Sequence, residues 1–113
     1  MIESFAFGFM VINGTKHTSD LVIYPGGHVE DLWQRKNGHR LSAFDIDRLI
    51  KSEPEVIVAG AGINGRMKPE KQLESLLNKK GIKFISRPNQ EAIQVYNNLL
   101  SKNQVGACFH LTC

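Results

Sequence analysis

Along residues 2–12 the chain alternates, with Phe5, Phe7, Phe9 and Val11 on one parity and Ser4, Ala6, Gly8 and Met10 on the other. A period of two belongs to a strand, so the pattern predicts one strand across this stretch. Asn13 and Gly14 follow, the pair that most readily takes the positive φ angles of a type I′ hairpin turn. A second strand ending in "DLVIY" (20–24) is expected to return beside the first, and "PGG" (25–27) stops it. Residues 26–41, "GGHVEDLWQRKNGHRL", keep neither period and read as a loop with a short strand near Trp33.

Helical spacing begins at Ser42, which stands three residues before Asp45 as an N-terminal cap would, with Ile46, Leu49 and Ile50 behind it. Glu53 before Pro54 ends that helix. "VIVA" (56–59) is apolar on both parities, as befits a strand covered on both faces. Pro69 opens a helix with a Leu73, Leu76 and Leu77 stripe, and Gly81 closes it. A short strand is expected at 83–85. Asn89 is placed to cap a last helix that carries Gln90 and Glu91 in its first turn and buries Ala92, Tyr96, Leu99 and Leu100. A strand at 105–111 ends the chain. Strand, helix, strand, helix, strand from 56 onward implies parallel crossovers, and the front hairpin adds antiparallel strands. The expectation is a single α/β domain, 1–113, with a mixed central sheet, a βαβαβ C-terminal part and an N-terminal antiparallel hairpin.

Composition narrows the partners. With 113 residues the chain can bury a core without staples, and no apolar run approaches the ~18–20 residues that span a bilayer. Glu3 and the lack of a basic leading segment argue against a signal peptide. Cys108 and Cys113 crowd the tail and form no disulfide framework, so a reducing cytoplasm is expected. The net charge of +3 is spread among acidic residues, without the basic stripe and interleaved aromatics of nucleic-acid binders.

Three stretches could carry chemistry. "GAGING" places Gly60, Gly62 and Gly65 after a strand, which matches a dinucleotide cradle in outline. Arg66, Met67 and Lys68 delay the helix, however, and no acidic residue closes the next strand, which ends "ISR". A tight turn is the stronger reading, with a phosphate or carboxylate site formed by the turn's N–H groups, Arg66 and Lys68 as the alternative. In the tail "CFHLTC", Cys108, His110 and Thr112 share one strand face and Cys113 takes the other. A Cys108–His110 nucleophile would need an orienting third group, and two cysteines with one histidine lack the second pair of a structural zinc site. Cys108 is expected in the core and Cys113 as the exposed thiol. The loop cluster Trp33, Arg35, Gly38 and His39 is either a recognition surface or a tryptophan plug with Arg35 paired to a carboxylate such as Asp20.

Taken in order, "FGFMVINGT", "SDLVIYPGG", Trp33-x-Arg35 with Gly38 and His39, "VIVAGAG", Ala92 with Tyr96 and Asn97, and the closing "FHLTC" resemble the adipogenesis-associated Mth-domain family of unknown function. Mitochondrial respiratory complex I assembly factor 3 belongs to the same superfamily. Asn89 stands where the family tends to carry a threonine cap, and Gly65 is not a family feature. The resemblance implies a three-layer fold, no established activity or cofactor, and a protein-binding, assembly-factor-like role. The expectation is therefore a cytoplasmic binding module, monomer or homodimer, without catalytic residues, cofactor or metal. The alternative is a binder of small molecules or anions. Its cleft would use Gly60 and Gly62, the loop Trp33, Arg35, Gly38 and His39, and the tail residues His110 and Cys113.

Overall fold

In the computed structural model, which describes residues 1–113, the alternating N-terminal segment is two strands and not one. β1 (Ile2–Ala6) turns at Phe7 and Gly8 into β2 (Phe9–Ile12), which turns at Asn13 and Gly14 into β3 (Thr15–His17). Gly8 reverses the chain at φ 88°, a conformation that costs a glycine nothing. Residues opposite each other across an antiparallel pair share a face, so Phe5 lies with Met10 and not with Phe9. The core-facing set is accordingly Ile2, Met10 and Ile12, and Phe7 is left on the turn at 65% exposure. The expected type I′ turn does form, with positive φ at both Asn13 and Gly14.

β4 (Leu21–Ile23) does not return beside this hairpin. It enters a second sheet with β5 (Val29–Glu30), β7 (Val56–Gly60), β9 (Lys83–Arg87) and β10 (Val105–Phe109), in the order β5-β4-β10-β7-β9. β10 runs parallel to β7 and antiparallel to β4, so the central sheet is mixed. All five residues of β7 and of β10 are buried, as their unbroken apolar runs require. The 26–41 segment is less irregular than its sequence suggests: it holds β5 and β6 (Arg40–Leu41), while Trp33 lies in neither.

Helices and the hairpin sheet cover the two faces. One face packs β1 to β3 and α3 (Asn89–Leu99) around Ile2, Met10, Val58, Tyr96 and Phe109. The other packs α1 (Asp47–Lys51) and α2 (Lys71–Lys79) around Leu49, Ile57, Leu73, Leu77 and Cys108, with Trp33 at its margin. The result is the three-layer arrangement with a βαβαβ C-terminal half. The helix after Ser42 is split into a 3-10 turn (Phe44–Ile46) and α1. Asp45 there accepts hydrogen bonds from the Ser42 N–H and hydroxyl at 2.9 Å, so the predicted cap spacing operates through the aspartate. Pro69 does not open α2; it sits in β8 (Lys68–Pro69), which pairs with β6. Asn89 is the first residue of α3 and not its cap, and Leu100 lies past its end, 37% exposed. No helix is long and apolar enough to cross a membrane.

Candidate functional site

β7 and β10 are parallel, so both end on the same side of the sheet, at Gly60 and Phe109. β4 runs the other way and pairs Leu21 with Phe109, which sets the preceding residue, Asp20, beside the following one, His110. The Asp20 Oδ2 accepts from His110 Nδ1 at 2.8 Å and from Arg35 Nη1 at 2.9 Å, and Oδ1 accepts from the Leu111 N–H at 2.7 Å. The loop after β5 is tied to the same residue, because Trp33 N–H donates to the Asp20 carbonyl at 3.0 Å. Arg35 then reaches back under its own loop, where Nη2 donates to the Gly38 carbonyl at 2.8 Å. Its guanidinium lies 4.6 Å from the Trp33 ring, whose indole N–H donates to the Asp45 carbonyl at 2.8 Å.

These side chains are largely out of water, at 4% exposure for Arg35, 9% for His110 and 19% for Asp20. Burial pushes the Asp20 carboxyl up, but the Leu111 N–H, His110 and Arg35 together outweigh it and hold it below its ordinary value. An ionised carboxylate only accepts, so the proton in the 2.8 Å contact belongs to His110 Nδ1. Arg35 Nη2, 3.1 Å from that same nitrogen, is a neighbouring donor and not a partner. Nε2 of His110 is then the nitrogen left to offer a lone pair, with only a long 3.4 Å contact from the Thr112 hydroxyl.

Beside it stand His39 and Cys113. The Cys113 Sγ lies 3.7 Å from His39 Nε2, and the His39 and His110 rings meet edge to face at 5.9 Å. One donor atom from each of His39, His110 and Cys113 falls within 4.8 Å of the other two. His39 is exposed, Cys113 half-buried and His110 buried, so the group runs from the buried Asp20–Arg35 support out to the surface.

The glycine turn is built differently. Ala61 N–H donates to the Arg87 carbonyl, Gly62 N–H to Asn89 Oδ1, Ile63 N–H to the Thr112 carbonyl, Gly65 N–H to the Gly62 carbonyl and Arg66 N–H to the Cys113 carbonyl. These five amides are thus consumed inside the protein, which leaves no run of successive free N–H groups to cradle a phosphate. Gly62, at φ 100°, needs glycine because a Cβ there would come within 2.6 Å of the Cys113 carbonyl carbon. At Gly60 it would strike the Phe109 ring. The glycines make room for the tail, not for a pyrophosphate. Asn89 serves the same junction by donating from Nδ2 to the His110 carbonyl at 2.8 Å while its Oδ1 receives Gly62.

The structure therefore brings together all eight residues singled out in the sequence, but in different roles. Trp33 is a plug and Arg35 a buried ion-pair partner, with Gly38 receiving its second hydrogen bond. Gly60 and Gly62 are packing positions. His39, His110 and Cys113 are the three whose donor atoms cluster where the support reaches the surface. Asp20 was legible only as a partner for Arg35, and its grip on His110 follows from a strand register that no local motif announces. Asn89 and Thr112 were missed in the same way. Cys108 is fully buried, its thiol pushed up to about 12 by burial, and is no nucleophile.

Residues 2–110 match the family described as "Protein of unknown function (DUF498/DUF598)". Among solved structures, the conserved hypothetical protein PH1505 from Pyrococcus horikoshii OT3 is 28% identical with a TM-score of 0.88, covering 100% of this chain and 99% of that one. A protein named MT938 is 27% identical with a TM-score of 0.82 over 100% and 98% of the two chains, in keeping with the Mth-domain resemblance. XCC1710 from Xanthomonas campestris shares the fold at 16% identity and a TM-score of 0.79, over 98% of this chain and 83% of its own. With that span of match, the chain belongs to the DUF498/DUF598 family.

Proposed function

We propose that this chain is a binding domain that works through the open surface formed by His39, His110 and Cys113. One contrast supports the reading above all. The side-chain donors converge on an outward face over a buried Asp20–Arg35 support, while the neighbouring backbone amides are already bonded. Acyl-transfer chemistry at Cys113 gains no support from this arrangement. An oxyanion needs free, preorganised donors, and the adjacent N–H groups of Ile63 and Arg66 are committed to the tail's own carbonyls.

The test combines native mass spectrometry of freshly isolated protein with a thermal shift against nicotinamide dinucleotides and inorganic phosphate. A retained ligand that is lost in the His39→Ala/Cys113→Ser double variant is expected, with no shift from dinucleotides. Saturation near 100 times Kd would stabilise by ~2.7 kcal/mol. A dinucleotide shift of that size, unchanged in the double variant, would overturn the reading.

A second reading, docking of a partner protein, draws on Leu32. It holds a left-handed φ of 57° while 79% exposed. Such strain costs on the order of 1–3 kcal/mol and clusters at functional sites. Leu32 N–H bonds to the Ser19 hydroxyl and Gly8 N–H to the Leu111 carbonyl, so Leu32 and the exposed Phe7 flank the junction of Asp20 and Leu111. Loss of partner binding in Leu32→Ser, with His39→Ala unaffected, would favour this reading over the first.

A further inference from the structure

We infer that the ligand of this face is a divalent transition metal of the zinc class, held by His39, His110 and Cys113 with one position open. The inference rests on the binding reading above and names the ligand class.

The donor chemistry is the first argument. Two imidazoles and a thiolate suit a borderline-soft cation, and three protein ligands leave a fourth position for solvent or a substrate. The spacing is the second. Bond lengths of about 2.3 Å to sulfur and 2.0–2.1 Å to nitrogen, at tetrahedral angles, put sulfur and nitrogen about 3.6 Å apart. His39 Nε2 and Cys113 Sγ already stand 3.7 Å apart. The widest pair in the group, within 4.8 Å, closes by at most about 1.5 Å to reach this geometry. His39 can supply that movement, since it is exposed and follows Gly38, whose Cβ position has open space around it.

The support is the third argument. Metal-bound histidines characteristically donate their other ring N–H to a carboxylate, which fixes the tautomer and raises ligand basicity. Asp20 is placed to do this for His110 at 2.8 Å, and Arg35 holds the same carboxylate in position at 2.9 Å. The Thr112 hydroxyl contact on Nε2, at 3.4 Å, is weak enough to be given up. Binding is an exchange of protons for metal: the Cys113 S–H bond breaks, an Sγ–metal bond forms, and one proton per chain leaves to solvent.

The 3.7 Å contact is also the length of a thiol–imidazole hydrogen bond, and a cobalt titration separates the two. Co²⁺ added to the reduced protein is expected to give a thiolate-to-metal charge-transfer band and four-coordinate visible bands that saturate at one equivalent. Zn²⁺ should erase them and Mg²⁺ should not. Cys113→Ser should abolish the charge-transfer band, and His39→Ala should weaken binding at least tenfold, both at unchanged circular dichroism. Asp20→Asn, a positioning change, should cost ~10–100-fold in affinity where the variant folds. Absent bands, or bands indifferent to the first two substitutions, would overturn the inference. The binding reading itself survives that result if an organic mass is retained by the wild type and lost in the double variant. If neither metal nor organic ligand depends on the face, both readings fall.

Discussion

The glycine turn after β7 and the tail that crosses it occupy the same end of the central sheet, yet they divide the labour in opposite ways. The turn carries a recognisable motif but keeps no cluster of free amides, because those of Ala61, Gly62, Ile63, Gly65 and Arg66 bond to Arg87, Asn89, Gly62 and the tail. The tail carries no complete catalytic or metal-binding motif, yet its His110 and Cys113 join His39 in a set of donor side chains that reaches the surface. What separates them is where hydrogen-bond capacity remains after folding. A motif states which residues stand near one another in sequence, while a site requires polar atoms left without internal partners.

This contrast can be broken most forcefully from below. Asp20→Ala removes the carboxylate from a buried Arg35 and leaves the Leu111 N–H without its acceptor. Losing one partner of a buried ion pair costs ~3–5 kcal/mol, so chemical denaturation should show a loss of that order. A loss below about 1 kcal/mol would mean that the pair is not the support described.

Gly62→Ala comes next. The new methyl meets the Cys113 carbonyl carbon at 2.6 Å from a backbone at φ 100°. Strain of this kind is worth on the order of 1–3 kcal/mol. Gly38→Ala, with nothing within 4 Å and no positive φ, should stay within about 0.5 kcal/mol. Equal effects at the two positions would remove the packing argument for the turn.

Acid should sharpen the comparison further. Asp20 is held below its ordinary value in the folded protein, so its contribution is fully present above the unfolded carboxyl's pKa. It is lost as pH falls through the lower, folded one. Stability measured against pH should therefore show an acid limb that is shallower in Asp20→Asn. An unchanged limb in that variant would assign acid sensitivity to other carboxylates.

The smallest energetic effect, and the simplest assay, concerns the two thiols. Alkylation of the native protein near neutral pH should modify Cys113 alone. Cys108, fully buried with its thiol raised to about 12, should react only on unfolding. Peptide mapping by mass spectrometry reads this directly, and rapid modification of Cys108 in the native state would contradict its place in the core.

Much of the architecture was legible because its signals are local. The both-parity apolar run at β7, the leucine stripe of α2 and the glycine after it need only their own windows. The failures share one physical cause. A two-residue turn at Phe7 and Gly8 leaves a period of two unbroken, so the reversal is invisible while the faces exchange. Asn89 has a cap residue's chemistry, but its amide is drawn inward by Gly62 and the His110 carbonyl. The residues of the face were picked out, but their roles were not. The Asp20–His110 contact spans ninety positions and depends on β4 pairing antiparallel to β10, a long-range choice that short patterns do not encode.

Asp20 is expected to hold His110 with its proton on Nδ1, leaving Nε2 as the nitrogen with a lone pair to offer. The direct measurement is a two-bond ¹H–¹⁵N correlation spectrum of the imidazoles at mildly alkaline pH, with His110 assigned by its loss in His110→Gln. The Nδ1–H tautomer is expected for His110 in the wild type. An Nε2–H tautomer, with Nδ1 bare beside Arg35, would contradict it.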